Sequence, residues 1–338
     1  MTSKAADTGF GLSIEVEPME ARSADVLPAD EGWQYEPKWD GFRCLAFKNG
    51  SKVDLRAKSG KPLGRYFPEV VALLSELDVE RFVIDGELVI DRDGKLSFDA
   101  LQMRLHPAES RIKKLSRETP ARLVMFDMLM AADGIPILDR DLSFRRGALE
   151  VFEKKAVQPG RLVLSPCTRD YKEATRWLSA SGGDTDGVVC KRLDGPYLPG
   201  ERAMTKVKRL RTADCVVGGF RYESDSKLVG SLLLGLYNDQ GDLDHVGFTA
   251  TISDAERPEL TAKLEALRGE PGFTGKAPGG PSRWSTKRSS QWEPLKSEMV
   301  VEVRFDQVTG HRFRHGTKLL RWRPDKRPTQ CKLEQIER

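Results

Sequence analysis

Apolar positions recur at two different periods along this chain, and the mixture of periods changes near Arg211. Before that point, short alternating or continuous apolar runs predict strands at Trp33–Phe47, Lys52–Arg56, Phe82–Ile90, Arg122–Met130, Asp186–Arg192 and Met204–Leu210. The turn Lys48-Asn49-Gly50-Ser51 joins the first two, and Asp91-Arg92-Asp93-Gly94 ends the third. Val70, Val71, Leu73, Leu74 and Leu77 fall on a helical period and predict a helix over Phe67–Leu77. Leu142–Lys155 and Tyr171–Ala180 read as further helices. This interleaving predicts an α+β domain over residues 1–211.

From Thr212 onward the pattern is dominated by strands, at Cys215–Tyr222, Ser231–Tyr237, His245–Thr251, Met299–Phe305 and Lys318–Arg323. One helix, near Ser253–Leu267, interrupts them. Five strands and one helix predict a small Greek-key β-barrel of the OB-fold type over residues 212–338, a fold that often binds nucleic acid. Between Pro271 and Gln291, glycine, proline, serine and basic residues predict a loop. Its Arg283, Trp284, Lys287 and Arg288 suit a phosphate backbone, while a linker that touches nothing is an equal reading of the same residues.

Composition narrows the class. The chain has 338 residues with a hydrophobic fraction of 39%, enough for two globular cores. No run approaches the roughly 20 apolar residues of a membrane span, and the first residues lack a signal-peptide core. A cytoplasmic protein is expected. The five cysteines are scattered and never paired as CxxC, so they are expected to be reduced core residues rather than a disulfide framework or zinc site.

Net charge is only +4, but it is unevenly distributed. Residues 202–211 carry five basic residues and no acid, and residues 276–338 carry fifteen basic residues against seven acids. Such surfaces suit a polyanion, whose counterions are released on binding, and suit a solvated charged face equally well.

The densest chemistry lies in Glu36-Pro37-Lys38-Trp39-Asp40-Gly41-Phe42-Arg43. Lys38 reads either as an ordinary strand-edge cation or as a nucleophile. An amine attacks phosphorus only when unprotonated, so a nucleophilic lysine needs burial or neighbouring cations. Later segments supply partners. Asp85-Gly86-Glu87 and Asp186-Gly187 place acids beside glycines, suited to a sugar hydroxyl or a hydrated metal. Lys206 and Lys208 alternate by two and share a strand face. Phe126 precedes Asp127 at the end of an apolar strand and can stack on a base.

In order, Lys38-Trp-Asp-Gly-Phe-Arg43, Asp85-Gly-Glu87, Phe126-Asp127, Asp186-Gly-Val-Val-Cys-Lys191, Lys206-Val-Lys208 and Arg323-Pro-Asp-Lys326 resemble the collinear motifs of covalent nucleotidyltransferases. Within that superfamily the chain resembles ATP-dependent DNA ligases, especially the small bacterial C-type group, from about Pro18 to Cys331. The resemblance implies an adenylation domain of antiparallel sheets followed by the OB domain. It also implies sealing of nicks in duplex DNA through lysyl-AMP and DNA-adenylate, in repair, by a monomer that uses ATP and Mg²⁺, with Mn²⁺ as the alternative ion. Such a protein would meet the bacterial nucleoid when bound to DNA.

Residue by residue, the resemblance makes Lys38 the adenylated lysine, with Asp40 in the same motif. It gives adenine reading to Glu36, base stacking to Phe126, and the ribose and nick to Arg43. Glu87 and Asp186 become the acids of the metal region. Lys206 and Lys208 become the phosphate-contacting lysines, Lys191 closes the motif that opens at Asp186 and binds the cofactor, and Arg323, Asp325 and Lys326 orient pyrophosphate. Arg56 and Lys58 fall where the nick phosphate is bound. A hinge is implied near Lys208–Thr212.

Three positions depart from the family pattern: Asp186 stands where glutamate is usual, Lys58 where arginine is usual, and Met204 where an aromatic is common. Lysine loses the bidentate phosphate grip of arginine. RNA ligases and mRNA-capping guanylyltransferases use a similar lysine, but the pairing of the Lys38 and Arg323 motifs favours DNA ligase. The absence of a four-cysteine cluster disfavours NAD. A non-catalytic nucleic-acid clamp is the reading from another class, and it leaves Lys38 and its acids without a use.

Overall fold

The computed structural model describes residues 9–156, 160–181, 184–279 and 291–337. They group into two compact units that part between Arg209 and Leu210.

The first unit runs β1 (Ala21–Ala24), β2 (Trp33–Trp39), β3 (Phe42–Asn49), β4 (Lys52–Ala57), α1 (Pro68–Ser75), β5 (Arg81–Arg92), β6 (Lys95–Leu96), α2 (Phe98–Arg104), α3 (Glu109–Glu118) and β7 (Ala121–Met130). It continues with α4 (Leu142–Lys155), β8 (Leu162–Leu164), α5 (Tyr171–Ala180), β9 (Thr185–Arg192) and β10 (Met204–Lys208). Two sheets result, one ordered β1-β10-β9-β2 and the other β4-β3-β5-β7-β8, with β6 paired to β5. The helices α4 and α5 begin where acids cap them: Asp141 accepts from the Phe144 N–H at 2.7 Å and Asp170 from the Lys172 N–H at 2.8 Å.

The stretch Trp33–Phe47 is two strands, not one. It breaks at Asp40-Gly41, where a Cβ on Gly41 would lie 2.2 Å from the Leu88 carbonyl oxygen, so only glycine lets β2 leave one sheet and β3 enter the other. Sequence periodicity also gave no sign of β1, α2, α3 or β8. In α3 only Ile112 is buried, so that helix presents a narrow apolar face amid charged residues.

Strand alternation sorts side chains into layers. On β3, Cys44 and Ala46 pack with Phe67, Leu74 and Phe152 beneath the helices α1 and α4, whereas Leu45 and Phe47 point the other way, to Met19, Val83, Met130 and Tyr197. The far face of the four-stranded sheet places Tyr35, Val188, Cys190 and Val207 against Ala174 and Trp177 of α5. The layer between the sheets is therefore apolar at one end. At the other end it is filled by charge.

The second unit contains β11 (Arg211–Tyr222), β12 (Val229–Tyr237), β13 (Leu243–Thr249), α6 (Arg257–Ala266), β14 (Glu293–Pro294), β15 (Val300–Phe305), β16 (Val308–Thr309), β17 (Arg312–Phe313), β18 (Lys318–Trp322) and α7 (Glu334–Glu337). Its main sheet is ordered β13-β12-β11-β15-β18 around a core that includes Val216, Phe220, Leu234, Val301 and Val303. Among the described residues this path does not return on itself, so the expected closed barrel is not found. No described helix is long and apolar enough to cross a membrane. All five cysteines are free, and only Cys167 is not buried.

Candidate active site

The pairing of β2, β9 and β10 decides which side chains share a face. Glu36 and Lys206 both stand opposite Val189, and Lys38 and Lys208 both stand opposite Gly187. Glu36, Lys38, Lys206 and Lys208 therefore project from the same side of the sheet, with Lys191 beyond them on β9. Asp186 should point away. It does not, because the register slips between Lys38 and Trp39 and leaves Asp186 as the extra residue of a bulge. Gly187 allows this, since a Cβ there would lie 2.1 Å from the Val207 carbonyl oxygen.

The bulged carboxylate meets two lysines. Lys38 Nζ donates to Asp186 Oδ2 at 2.7 Å, and Lys208 Nζ lies 3.4 Å from the same oxygen. The Asp186 side chain is 5% exposed and that of Lys38 23%, so a nearly buried acid faces an amine that solvent and ligands can still reach.

The opposing sheet contributes Arg43, Asp85, Glu87 and Phe126. Arg43 pairs with Glu87 across β3 and β5, two residues from Leu45↔Asp85. Both Asp85 oxygens accept from the Arg43 guanidinium, and Oδ2 also accepts from the Tyr197 hydroxyl at 2.6 Å. Tyr197 in turn accepts from the Met19 N–H at 2.9 Å. The arginine is thereby held over Phe126, its guanidinium carbon 4.7 Å from the ring centroid. Glu87 accepts from the Gly41 N–H at 3.2 Å, and burial pushes its carboxyl up to about 7 against the opposing pull of Arg43 and Lys38.

Beside the ring a buried network fixes Glu36. Its two oxygens accept from Gln34 Nε2 at 2.8 Å and pair with Lys191 Nζ at 2.9 Å. Lys191 also donates to the Phe126 carbonyl at 3.1 Å and lies 4.7 Å from the centre of the Phe126 ring. Asp127 is held by Arg145 through Nε at 2.7 Å and Nη2 at 3.1 Å, and both side chains are 1% exposed. Arg145 Nη1 is satisfied by the carbonyls of Arg140 and Gly195.

These groups line a cavity of about 250 Å³ with Glu36, Lys38, Arg43, Lys58, Glu87, Phe126, Lys191, Met204 and Lys206 on its walls. Lys58 pairs with Glu20 at 2.9 Å, an interaction that lowers the Glu20 carboxyl below its ordinary value. Burial, reinforced by the nearby charges of Lys38, Lys208 and Lys58, lowers the Lys206 ammonium. One end of the cavity offers an aromatic ring beside a buried acid, and the other a set of cations around an acid. A planar base joined to phosphates is the ligand class that satisfies both ends.

Some expected site residues lie elsewhere. Asp40 occupies the link between β2 and β3. Arg56 is spent on Asp54, donating through Nε at 2.6 Å and Nη2 at 2.8 Å, and it is not among the cavity walls. Arg323, Asp325 and Lys326 form a cluster of their own in the second unit. Arg283, Trp284, Lys287 and Arg288 lie outside the described residues. Asp85, read from sequence as suited to sugar or metal, instead has both oxygens committed to Arg43 and Tyr197. Sequence reasoning passed over Gln34, Tyr197 and Arg145. A signal for the last existed, since Arg145 falls on the Leu142 and Leu149 face of α4 and a charge on an apolar stripe needs a buried partner.

Comparison with known proteins matches residues 18–208 to the ATP dependent DNA ligase domain and residues 225–326 to the ATP dependent DNA ligase C terminal region. The chain is 44% identical to DNA ligase C1 of Mycolicibacterium smegmatis, over 95% of this chain and 94% of that protein. It is 42% identical to DNA ligase C of Mycobacterium tuberculosis, over 96% and 94% respectively. Among solved structures it is similar to a mycobacterial DNA ligase D complexed with ATP and MES, with TM-score 0.51, 28% identity, and coverage of 94% of this chain and 98% of that one.

Proposed function

Because this chain belongs to the ATP-dependent DNA ligase family and joins DNA at the expense of ATP, we propose that Lys38 is the nitrogen that becomes bonded to AMP. The observation that carries the assignment is the convergence of Lys206, Arg43, Glu87 and Phe126 on the cavity that Lys38 lines, with Asp186 anchoring the Lys38 nitrogen. Adenine stacks on Phe126 and is read by Glu36, which Gln34 and Lys191 hold in place. Arg43 lies toward the ribose. Lys206 and Lys208 take phosphate oxygens, and Lys58 serves as the nick-phosphate contact.

In the first step the unprotonated Lys38 nitrogen attacks the α-phosphorus, an N–P bond forms, and the bond to the bridging oxygen breaks to release pyrophosphate. The ammonium proton that Lys38 donates toward Asp186 passes to water first, and the second proton, lost as the N–P bond forms, leaves with pyrophosphate or water. Arg323 and Lys326 orient the departing pyrophosphate. The 5′-phosphate at a nick in duplex DNA then takes AMP from Lys38. Finally the 3′-hydroxyl displaces AMP and closes the phosphodiester. Catalysis is chiefly positioning and electrostatic stabilisation of a spreading negative charge.

A divalent ion, Mg²⁺ or Mn²⁺, fits beside these residues. No described group of three acids, cysteines or histidines could hold a metal alone. Magnesium keeps several waters and needs only one or two carboxylates with substrate phosphates, which Asp186 and Glu87 can provide. Bound there, it would offset phosphate charge.

For the second unit we read an OB domain, residues 212–338 in the initial division. The support is an isolated parallel bridge between Thr249 at the end of β13 and Thr317 before β18, with Thr249 Oγ1 donating to the Thr317 carbonyl at 2.9 Å. It relates the two edge elements of the open path. A role in repair, as a monomer, completes the proposal.

Sealing of a labelled nicked duplex with ATP, GTP or NAD, with and without Mg²⁺, tests the reading. ATP- and metal-dependent sealing is expected. Failure on DNA nicks with success on RNA nicks, or adduct formation from GTP, would replace it with one of the related chemistries.

A further inference from the structure

The cations of Arg323-Pro-Asp-Lys326 are not isolated on the surface of the second unit. They converge on one carboxylate that belongs to no recognised motif. Asp214, on β11, accepts from Arg323 Nη1 at 2.8 Å through Oδ1 and from Lys326 Nζ at 2.6 Å through Oδ2. Its side chain is 11% exposed, well inside the range where a carboxylate interacts more strongly than it would in open solvent.

Asp214 is itself fixed. Its strand is paired to β15, with Asp214 opposite Glu302. Gln335 of α7 clamps its backbone from both sides, accepting from the Asp214 N–H at 3.0 Å and donating to the Asp214 carbonyl at 3.1 Å. Asp325, by contrast, accepts from the Arg323 guanidinium with its side chain 64% exposed. The buried, strand-borne acceptor is therefore Asp214 and the exposed one Asp325.

We propose that Asp214 is a positioning residue for lysine adenylation, setting the places of Arg323 and Lys326 so that they meet the pyrophosphate end of ATP together. This rests on the reading of those two cations given above. Arginine and lysine carry long, freely rotating side chains, and two of them serve one ligand well only if their heads are fixed in advance. Tying both to the two oxygens of one strand-borne carboxylate does this. The tie does not consume them: an ammonium has three donors and a guanidinium five, so each cation keeps hydrogens for a phosphate oxygen while it stays on Asp214.

The test uses the full-length chain and separates the steps. Adenylation of Lys38 by ATP and its reversal by pyrophosphate are measured in one arm, and closure of a nick that already carries AMP on its 5′-phosphate in the other. Asp214→Asn should slow adenylation tenfold or more and raise the KM for ATP, while closure of the pre-adenylated nick stays within twofold. Asp214→Glu should recover part of the loss. Gln335→Leu, which keeps the charge but frees the backbone of Asp214, should slow adenylation about threefold, and it decides the matter if Asp214→Asn does not fold.

Arg323→Ala with Lys326→Ala serves as the control. If that pair leaves adenylation unchanged, the role given to the two cations fails. If the pair abolishes adenylation while Asp214→Asn and Gln335→Leu leave it within twofold, the proposal for Asp214 is overturned and the role of the cations survives. Equal slowing of adenylation and of pre-adenylated closure by folded Asp214→Asn would likewise overturn it.

Discussion

Asp85 grips the Arg43 guanidinium through both carboxylate oxygens, although 42 residues separate them, and the arginine so held lies against Phe126. Asp85 is fully buried, so its value lies in pairing and not in contact with a ligand. Replacing it with asparagine leaves a partly buried guanidinium without its counter-charge and with one acceptor oxygen in place of two. Losses from breaking such pairs are about 3–5 kcal/mol. Asp85→Asn is expected to lower the melting temperature by several degrees and to weaken ATP binding, measured by thermal denaturation and calorimetry. Tyr197→Phe, which removes one neutral donor from the same carboxylate, should cost about 1 kcal/mol.

Phe126 presents its ring to the cavity while its backbone carbonyl is held by Lys191. Base-on-aromatic stacking is worth about 1–3 kcal/mol. Phe126→Ala should therefore raise the KM for ATP between about fivefold and a hundredfold, with Phe126→Tyr close to the parent. Initial rates of adduct formation across ATP concentrations decide this.

Glu87 keeps its proton up to about pH 7, whereas the ordinary carboxyl releases it near 4.5. Between those values the folded chain holds a proton that the unfolded chain has lost, so this group's contribution to stability falls as pH rises through the window. In metal- and nucleotide-free protein, Glu87→Gln should flatten that decline and be more stable than the parent at pH 8, by urea denaturation at pH 5 and pH 8. The same ionisation should give parent adenylation a rising limb near pH 7 that the glutamine variant lacks.

The two lysines that share Asp186 make a charge cluster of two cations and one anion. Asp186→Ala removes the acceptor that anchors the Lys38 nitrogen and the acid assigned to the metal, and should slow adenylation at least about tenfold, which corresponds to about 1.4 kcal/mol. Asp186→Glu restores the acid and is expected to recover most of that rate. A quenched-flow time course of adduct formation distinguishes the two.

Strand alternation explains how much of this was readable. Helices α4 and α5 have the bounds read from the sequence, and Lys206 with Lys208 were legible as a same-face pair. Asp186 could be recognised only as an acid beside a glycine. Its turn toward Lys38 depends on a one-residue register slip against β2, which is set by strands far apart in sequence. The split of Trp33–Phe47 into two sheets depends likewise on how closely Gly41 approaches the Leu88 carbonyl, a contact with no local signature. Asp85 looked like a ligand-binding acid because a buried carboxylate reads the same whether its cation belongs to a substrate or to the protein, and Asp127 carried no reading at all. Their partners are Arg43, Tyr197 and Arg145.

Intact-mass spectrometry of the purified chain after incubation with ATP and Mg²⁺ shows whether the Lys38 nitrogen carries AMP. The parent should gain the mass of one adenylate, released again by pyrophosphate, and Lys38→Ala should gain none. A Lys38→Ala protein that still acquires the adenylate, with the modified peptide mapping to another residue, would contradict the account.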